Sequence, residues 1–178
     1  INVDLRSDTV TKPTPAMLEA MMQAEVGDDV FGEDPSILAL EKKCADIFGM
    51  DGGIFCPSGT MTNQIGLKIL TSPGEEVICY SGAHIYRYEG GGAMANSGIS
   101  MRFLDGDHGV LNAAEIAKQI NPDDEHFPQT SVVALENTVN KGGGCFYTTS
   151  EIKEIYELCQ AHDLKLHLDG ARVFNALA

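Results

Sequence analysis

Basic residues are scarce in this chain. Its 178 residues include 12 Lys and Arg against 26 Asp and Glu, a formal net charge of −14. Nucleic acid and anionic membrane surfaces both require a basic patch, so neither is an expected partner. The same deficit means that an anionic ligand has to be held by local donors, not by the field of the whole protein. Paired cysteines are also missing. Cys44, Cys56, Cys79, Cys145 and Cys159 are odd in number and widely spread, with no C-x-x-C among them. A disulfide framework is excluded, a reducing compartment is expected, and no metal is expected. No apolar run approaches the roughly 20 residues of a membrane-spanning helix. Residues 1–8 do not read as a signal peptide, so the cytoplasm is the expected location.

What is present is the composition of a globular domain, 43% hydrophobic and 21% charged, long enough for one real core. Residues 1–14 read as a polar arm, and 15–178 as a single α/β unit. A helix is predicted from Pro15 to about Glu25, followed by an acidic loop over residues 27–34. Asp34 and Pro35 supply a cap and a first-position proline for the next helix, with Ile37, Leu40, Cys44 and Ile47 on its apolar stripe. Ile54, Phe55 and Cys56 read as a short strand leading through Ser58-Gly59-Thr60 into a helix patterned on Met61, Ile65 and Ile69. A strand, a small-residue turn and a helix start present bare backbone N–H groups to an anion. An ordinary helix cap would use the same residues.

Further strands are predicted at residues 77–80, 101–104 and 132–135. The last of these is a continuous apolar run, as in a strand buried on both faces. Gly90-Gly91-Gly92-Ala93-Met94-Ala95 formally fits a dinucleotide fingerprint, but no buried strand precedes it. Asn112 with Glu115, and Thr148 with Glu151, read as helix starts. A final strand alternates Leu164, Leu166 and Leu168 with Lys165, His167 and Asp169, and breaks at Gly170.

Strands and helices alternate, which predicts a mainly parallel sheet wrapped by helices. In such a sheet ligands bind at the carboxyl ends of the strands. Ser58-Gly59-Thr60, His84, the Glu136-Asn137 pair and Asp169 would all lie along that edge. An acid at a buried strand end, with Arg172 just beyond it, suits a cationic ring nitrogen beside an anionic group.

Asp4-Leu5-Arg6-Ser7-Asp8-Thr9-Val10-Thr11, Gly27-Asp28-Asp29-Val30-Phe31-Gly32, Ser58-Gly59-Thr60-Met61-x-Asn63, Glu136-Asn137-Thr138 and His167-Leu168-Asp169-Gly170-Ala171-Arg172 resemble the motifs of the L-threonine aldolases. These are pyridoxal-phosphate enzymes of the aspartate-aminotransferase-like fold (fold type I). The resemblance implies that Gly59 and Thr60 hold the cofactor phosphate. It implies that His84 lies on the pyridine ring and assists proton transfer, and that Asp169 pairs with the ring nitrogen. Arg172 would reach the ring hydroxyl or the substrate carboxylate, Ser7 would help bind that carboxylate, and His126 would sit near the substrate hydroxyl. The implied reaction is cleavage of L-threonine or L-allo-threonine to glycine and an aldehyde, by a homotetramer. Val139 departs from the motif, standing where relatives often have His.

The resemblance covers about the N-terminal half of a family member. Its Schiff-base lysine lies beyond the Asp-Gly-Ala-Arg segment, and none of Lys141, Lys153 and Lys165 matches it. The expectation is a large cofactor domain incomplete at its C-terminus, with an open sheet edge that invites association. Two alternatives stay open: a β-eliminating lyase of the same superfamily, and a non-catalytic fragment that binds phosphate or a partner.

Overall fold

Alternation of apolar side chains across two parallel strands divides the interior into two layers. The computed structural model describes residues 3–177, so Ile1 and Asn2 of the expected arm, and Ala178, lie outside it. The chain forms two compact units, Ile1–Phe55 and Cys56–Ala178.

In the first unit, helix α1 spans Pro15–Gln23 and α2 spans Pro35–Phe48. Both begin as their sequences dictate. Thr14 accepts the Met17 N–H at 3.3 Å and Asp34 accepts the Ile37 N–H at 2.9 Å, with proline at the first helical position of each. Asp34 also accepts the Gly27 N–H at 3.0 Å, which ties off the acidic loop. These backbone donors hold its carboxyl below the usual range. The predicted stripe on α2 does not make a core: Leu40, Cys44 and Ile47 are exposed and Ile37 is half-buried. The expected strand at residues 54–56 is also absent. The segment has no ladder partner, and the Phe55 N–H donates instead to the Glu41 carboxylate at 2.7 Å.

In the second unit the elements run α3 (Gly59–Leu70), β1 (Glu76–Tyr80), α4 (His84–Arg87), α5 (Gly92–Ser97), β2 (Ser100–Leu104), α6 (Ala113–Ala117), β3 (Thr130–Glu136), α7 (Thr149–Ala161), β4 (Lys165–Asp169) and α8 (Val173–Ala176). All strand pairs are parallel, in the order β2-β1-β3-β4. Every residue of β3 is buried, as its unbroken apolar run predicts. Ile78, Val133 and Leu135 point to one layer with Ile116, Ile155, Cys159 and Leu164. Val77, Cys79, Val132 and Ala134 point to the other, with Leu67, Ile85, Ala93 and Ile99. Successive strand residues alternate between the layers, so helices are needed on both faces.

Two helices depart from their sequence patterns. The predicted α6 runs to about Ile120, whereas the regular helix stops at Ala117. The pattern on α3 selects the wrong face. Met61 and Ile69 are exposed, while Asn63 and Leu67 are buried. The true inner face is Asn63, Gly66, Leu67 and Leu70, spaced three and four apart, but interrupted by an amide and a glycine that hide its apolar character. Leu67→Ala is therefore expected to cost about 2–5 kcal/mol of unfolding free energy, and Ile69→Ala about 0.5 kcal/mol or less. Urea denaturation of the two variants checks the assignment, and equal losses would refute it.

Candidate active site

The strand order places the topological switch point between β1 and β3, because their onward connections lead to opposite sides of the sheet. The chain leaves β1 towards His84 and leaves β3 at Glu136. The two meet there: the His84 backbone N–H donates to Glu136 Oε2 at 3.2 Å. Glu136 Oε1 accepts the Asn140 N–H at 3.2 Å. Glu136 lies opposite Asp169 in the β3–β4 register, so two carboxylates stand side by side at the sheet's C-terminal edge. Burial pushes the Glu136 carboxyl up, opposed by its two backbone donors and reinforced by repulsion from Asp169.

Asp169 is buried at the end of β4. Its Oδ1 accepts the Ala171 N–H at 3.1 Å, and its Oδ2 accepts from Asn63 Nδ2 at 2.9 Å. The same Asn63 nitrogen donates to Glu89 Oε1 at 2.8 Å. Glu89 Oε1 also meets His84 Nδ1 at 3.0 Å, and its second oxygen accepts from Gln64. On the far side of the amide, Asn63 Oδ1 lies 3.0 Å from His167 Nε2. The His84 side chain stays 37% exposed, with the Tyr88 ring 5.6 Å away, centroid to centroid. The result is a half-open imidazole above a buried cluster of carboxylates.

Helix α3 delivers two parts of this arrangement. Ser58 caps it, accepting the Met61 N–H at 3.2 Å. The first turn of a helix leaves N–H groups without intrahelical partners, and these carry the positive end of its dipole. Gly59 opens that turn with nothing within 4 Å of where a Cβ would stand. Thr60 follows it, and Asn63 sits one turn further on.

The structure therefore brings His84 and Asp169 together through Glu89 and Asn63, with Gly59 and Thr60 one helical turn from that amide. Arg172 is three residues past Asp169, half-buried, with its backbone N–H on the Asn137 carbonyl at 3.2 Å. His126 is placed elsewhere. It is exposed on the loop before β3, 2.8 Å from Asp124, towards the sheet edge where the strands begin. Ser7 belongs to the first unit, where its hydroxyl caps the turn Asp8–Val10. Three residues of the cluster were not singled out from the sequence for any role: Asn63, Glu89 and His167. The available signal was an amide inside the stripe Asn63, Leu67, Leu70 on α3.

Among the described residues His84, Glu89 and Asp169 offer ligand atoms within 4.8 Å of one another. Buried carboxylates gathered beside a half-exposed imidazole attract a positively charged group. A carboxylate oxygen with one donor can accept another, so Asp169 retains capacity for an N–H of a ligand.

A parallel α/β sheet with polar groups gathered at its switch point, beside an open helix start, defines a ligand-binding protein of the doubly wound kind. The model of the beta-eliminating lyase family matches residues 4–178, and the chain belongs to that family. The low specificity L-threonine aldolase of Escherichia coli (strain K12) is 44% identical over 176 residues, 98% of this chain and 52% of that protein. A threonine aldolase structure from Leishmania major superposes with a TM-score of 0.76 at 29% identity, covering 91% of this chain and 46% of that one. The serine palmitoyltransferase of S. paucimobilis, solved with bound PLP, shares the fold alone, with a TM-score of 0.58 at 18% identity. The chain spans about half the length of the curated relatives it matches.

Burial holds the His167 imidazole below its ordinary value of 6.5, while Asp169 and Glu89 pull it the other way. The folded protein thus binds this proton less readily than the unfolded chain. The associated stability is complete above pH 6.5 and is lost as pH falls through the lowered value. Removing the titration with His167→Phe should leave a difference in stability from the unaltered protein that is constant above that pH and shrinks below it. Urea unfolding between about pH 5 and pH 8 reads this, and a difference independent of pH would contradict it.

Proposed function

We propose that this chain is the cofactor-holding part of a pyridoxal-phosphate-dependent aldolase that cleaves L-threonine and L-allo-threonine to glycine and an aldehyde. The observation that carries the reading is Asp169, a buried carboxylate at a strand end with room for one more donor. The open space at Gly59, in front of a capped helix start, suits a phosphate. The relatives' names supply the reaction. The wider family's description keeps β-elimination as a second reading.

When bound, pyridoxal phosphate supplies an electron sink for the charge released as the bond beside the amino group breaks. Asp169 accepts the ring N–H and keeps that proton in place. Gly59 and Thr60 give backbone N–H groups to the phosphate, and the Thr60 hydroxyl adds a donor. His84 has its Nδ1 directed at Glu89, so Nε2 is the atom that exchanges a proton with the substrate. Arg172 serves the ring hydroxyl or the substrate carboxylate. His126 would serve the substrate hydroxyl from a second copy of the chain, in keeping with a homotetramer. Residues 15–178 form part of the large domain, and none of their lysines is given the Schiff-base role. The cytoplasm is the proposed location, and no helix among the described residues is long and apolar enough to cross a membrane.

The full-length polypeptide should release an aldehyde from L-allo-threonine or L-threonine once loaded with pyridoxal phosphate. Asp169→Ala should lower turnover by about 100-fold or more while weakening cofactor binding far less. Near-normal turnover in that variant would remove Asp169 from its role.

A further inference from the structure

We propose that His167 is a positioning residue for Asp169, acting through the Asn63 amide. The inference rests on the reading of Asp169 as the partner of the cofactor's ring nitrogen. An amide has one acceptor end and one donor end, and its neighbours decide which way it points. Here two carboxylate oxygens, Glu89 Oε1 and Asp169 Oδ2, face one end at 2.8 and 2.9 Å. Neither carboxylate, when ionised, can donate, so that end is the NH2 group. The other end is then Oδ1, which cannot donate to His167 Nε2. The proton between them therefore sits on Nε2, and His167 donates at 3.0 Å.

The two carboxylates set which way the amide points, and this donor holds its oxygen end in place. Without it only the NH2 end is anchored, and the amide can tilt, moving Nδ2 off Asp169 Oδ2. Asp169 would then depend on the Ala171 N–H at its other oxygen.

The surroundings are built for this ring. Residues 167 and 169 share a face of β4, because strand side chains alternate. Asn63 and Gly66 share a face of α3, three residues apart. A Cβ at Gly66 would come within 3.0 Å of His167 Cε1 and 3.1 Å of its Nδ1. The helix therefore carries a glycine where the imidazole packs, and an amide where its Nε2 points.

The decisive experiment compares two ligands on the full-length protein: pyridoxal phosphate, and its 1-deaza analogue, in which carbon replaces the ring nitrogen. Equilibrium binding is followed by fluorescence. His167→Phe should weaken pyridoxal phosphate about ten-fold, with the deaza analogue unchanged within about two-fold. His167→Gln, which can place an amide donor near the Nε2 position, should restore pyridoxal phosphate binding to within about three-fold of the unaltered protein. Equal loss of both ligands would assign His167 a merely structural role and overturn the inference, as would full affinity for pyridoxal phosphate in the Phe variant. If the Phe variant does not fold, Gly66→Ala reads the same coupling, because it crowds the ring while favouring the helix. A loss of about three-fold confined to pyridoxal phosphate is then expected, and unchanged affinity overturns the proposal. Failure of the unaltered protein to bind pyridoxal phosphate at all would overturn the functional reading, and this inference with it.

Discussion

One amide on one helix holds the charged edge of this protein together. Glu89, Glu136 and Asp169 are all buried near the carboxyl ends of parallel strands, where like charges repel and water is excluded. Asn63 answers two of them with a single nitrogen, and backbone N–H groups answer the third. Remove that amide and two buried carboxylates lose a donor.

The sheet makes the gathering possible. A parallel order with neighbours on both sides of β1 and β3 brings the ends of β1, β3 and β4 to one edge. Apolar packing on both faces then fixes their register, so that Glu136 and Asp169 stand opposite each other. Helix α3 belongs to the core through Leu67 and to the polar edge through Asn63, one turn apart. Rigidity gained from packing is thereby passed to the groups that face a ligand.

Much of this was legible in the sequence. The unbroken apolar run of β3, the caps at Asp34, Asn112 and Thr148, and a strand ending at Asp169 follow from local rules and appear as expected. The placement of His84 and Asp169 at one edge follows from strand order. The inner face of α3 was not legible, because Asn63 and Gly66 interrupt it and the outward Met61 and Ile69 make a better apolar pattern. Residues 54–56 are apolar enough for a strand, but strand formation depends on a partner that local sequence does not specify. The roles of Glu89 and His167 in the network could not be read from spacing. They meet Asn63 from residues 26 and 104 positions away in sequence, and only the fold makes them neighbours.

A shared donor also limits how such a chain can drift. Because one nitrogen serves positions 89 and 169 together, a change at either alters what position 63 must supply, and the three are not independent characters. Gln64 serves Glu89 from a separate side chain, so its replacement leaves Asp169 untouched. Divergence among related sequences should therefore move 63, 89 and 169 as a linked set while 64 varies on its own.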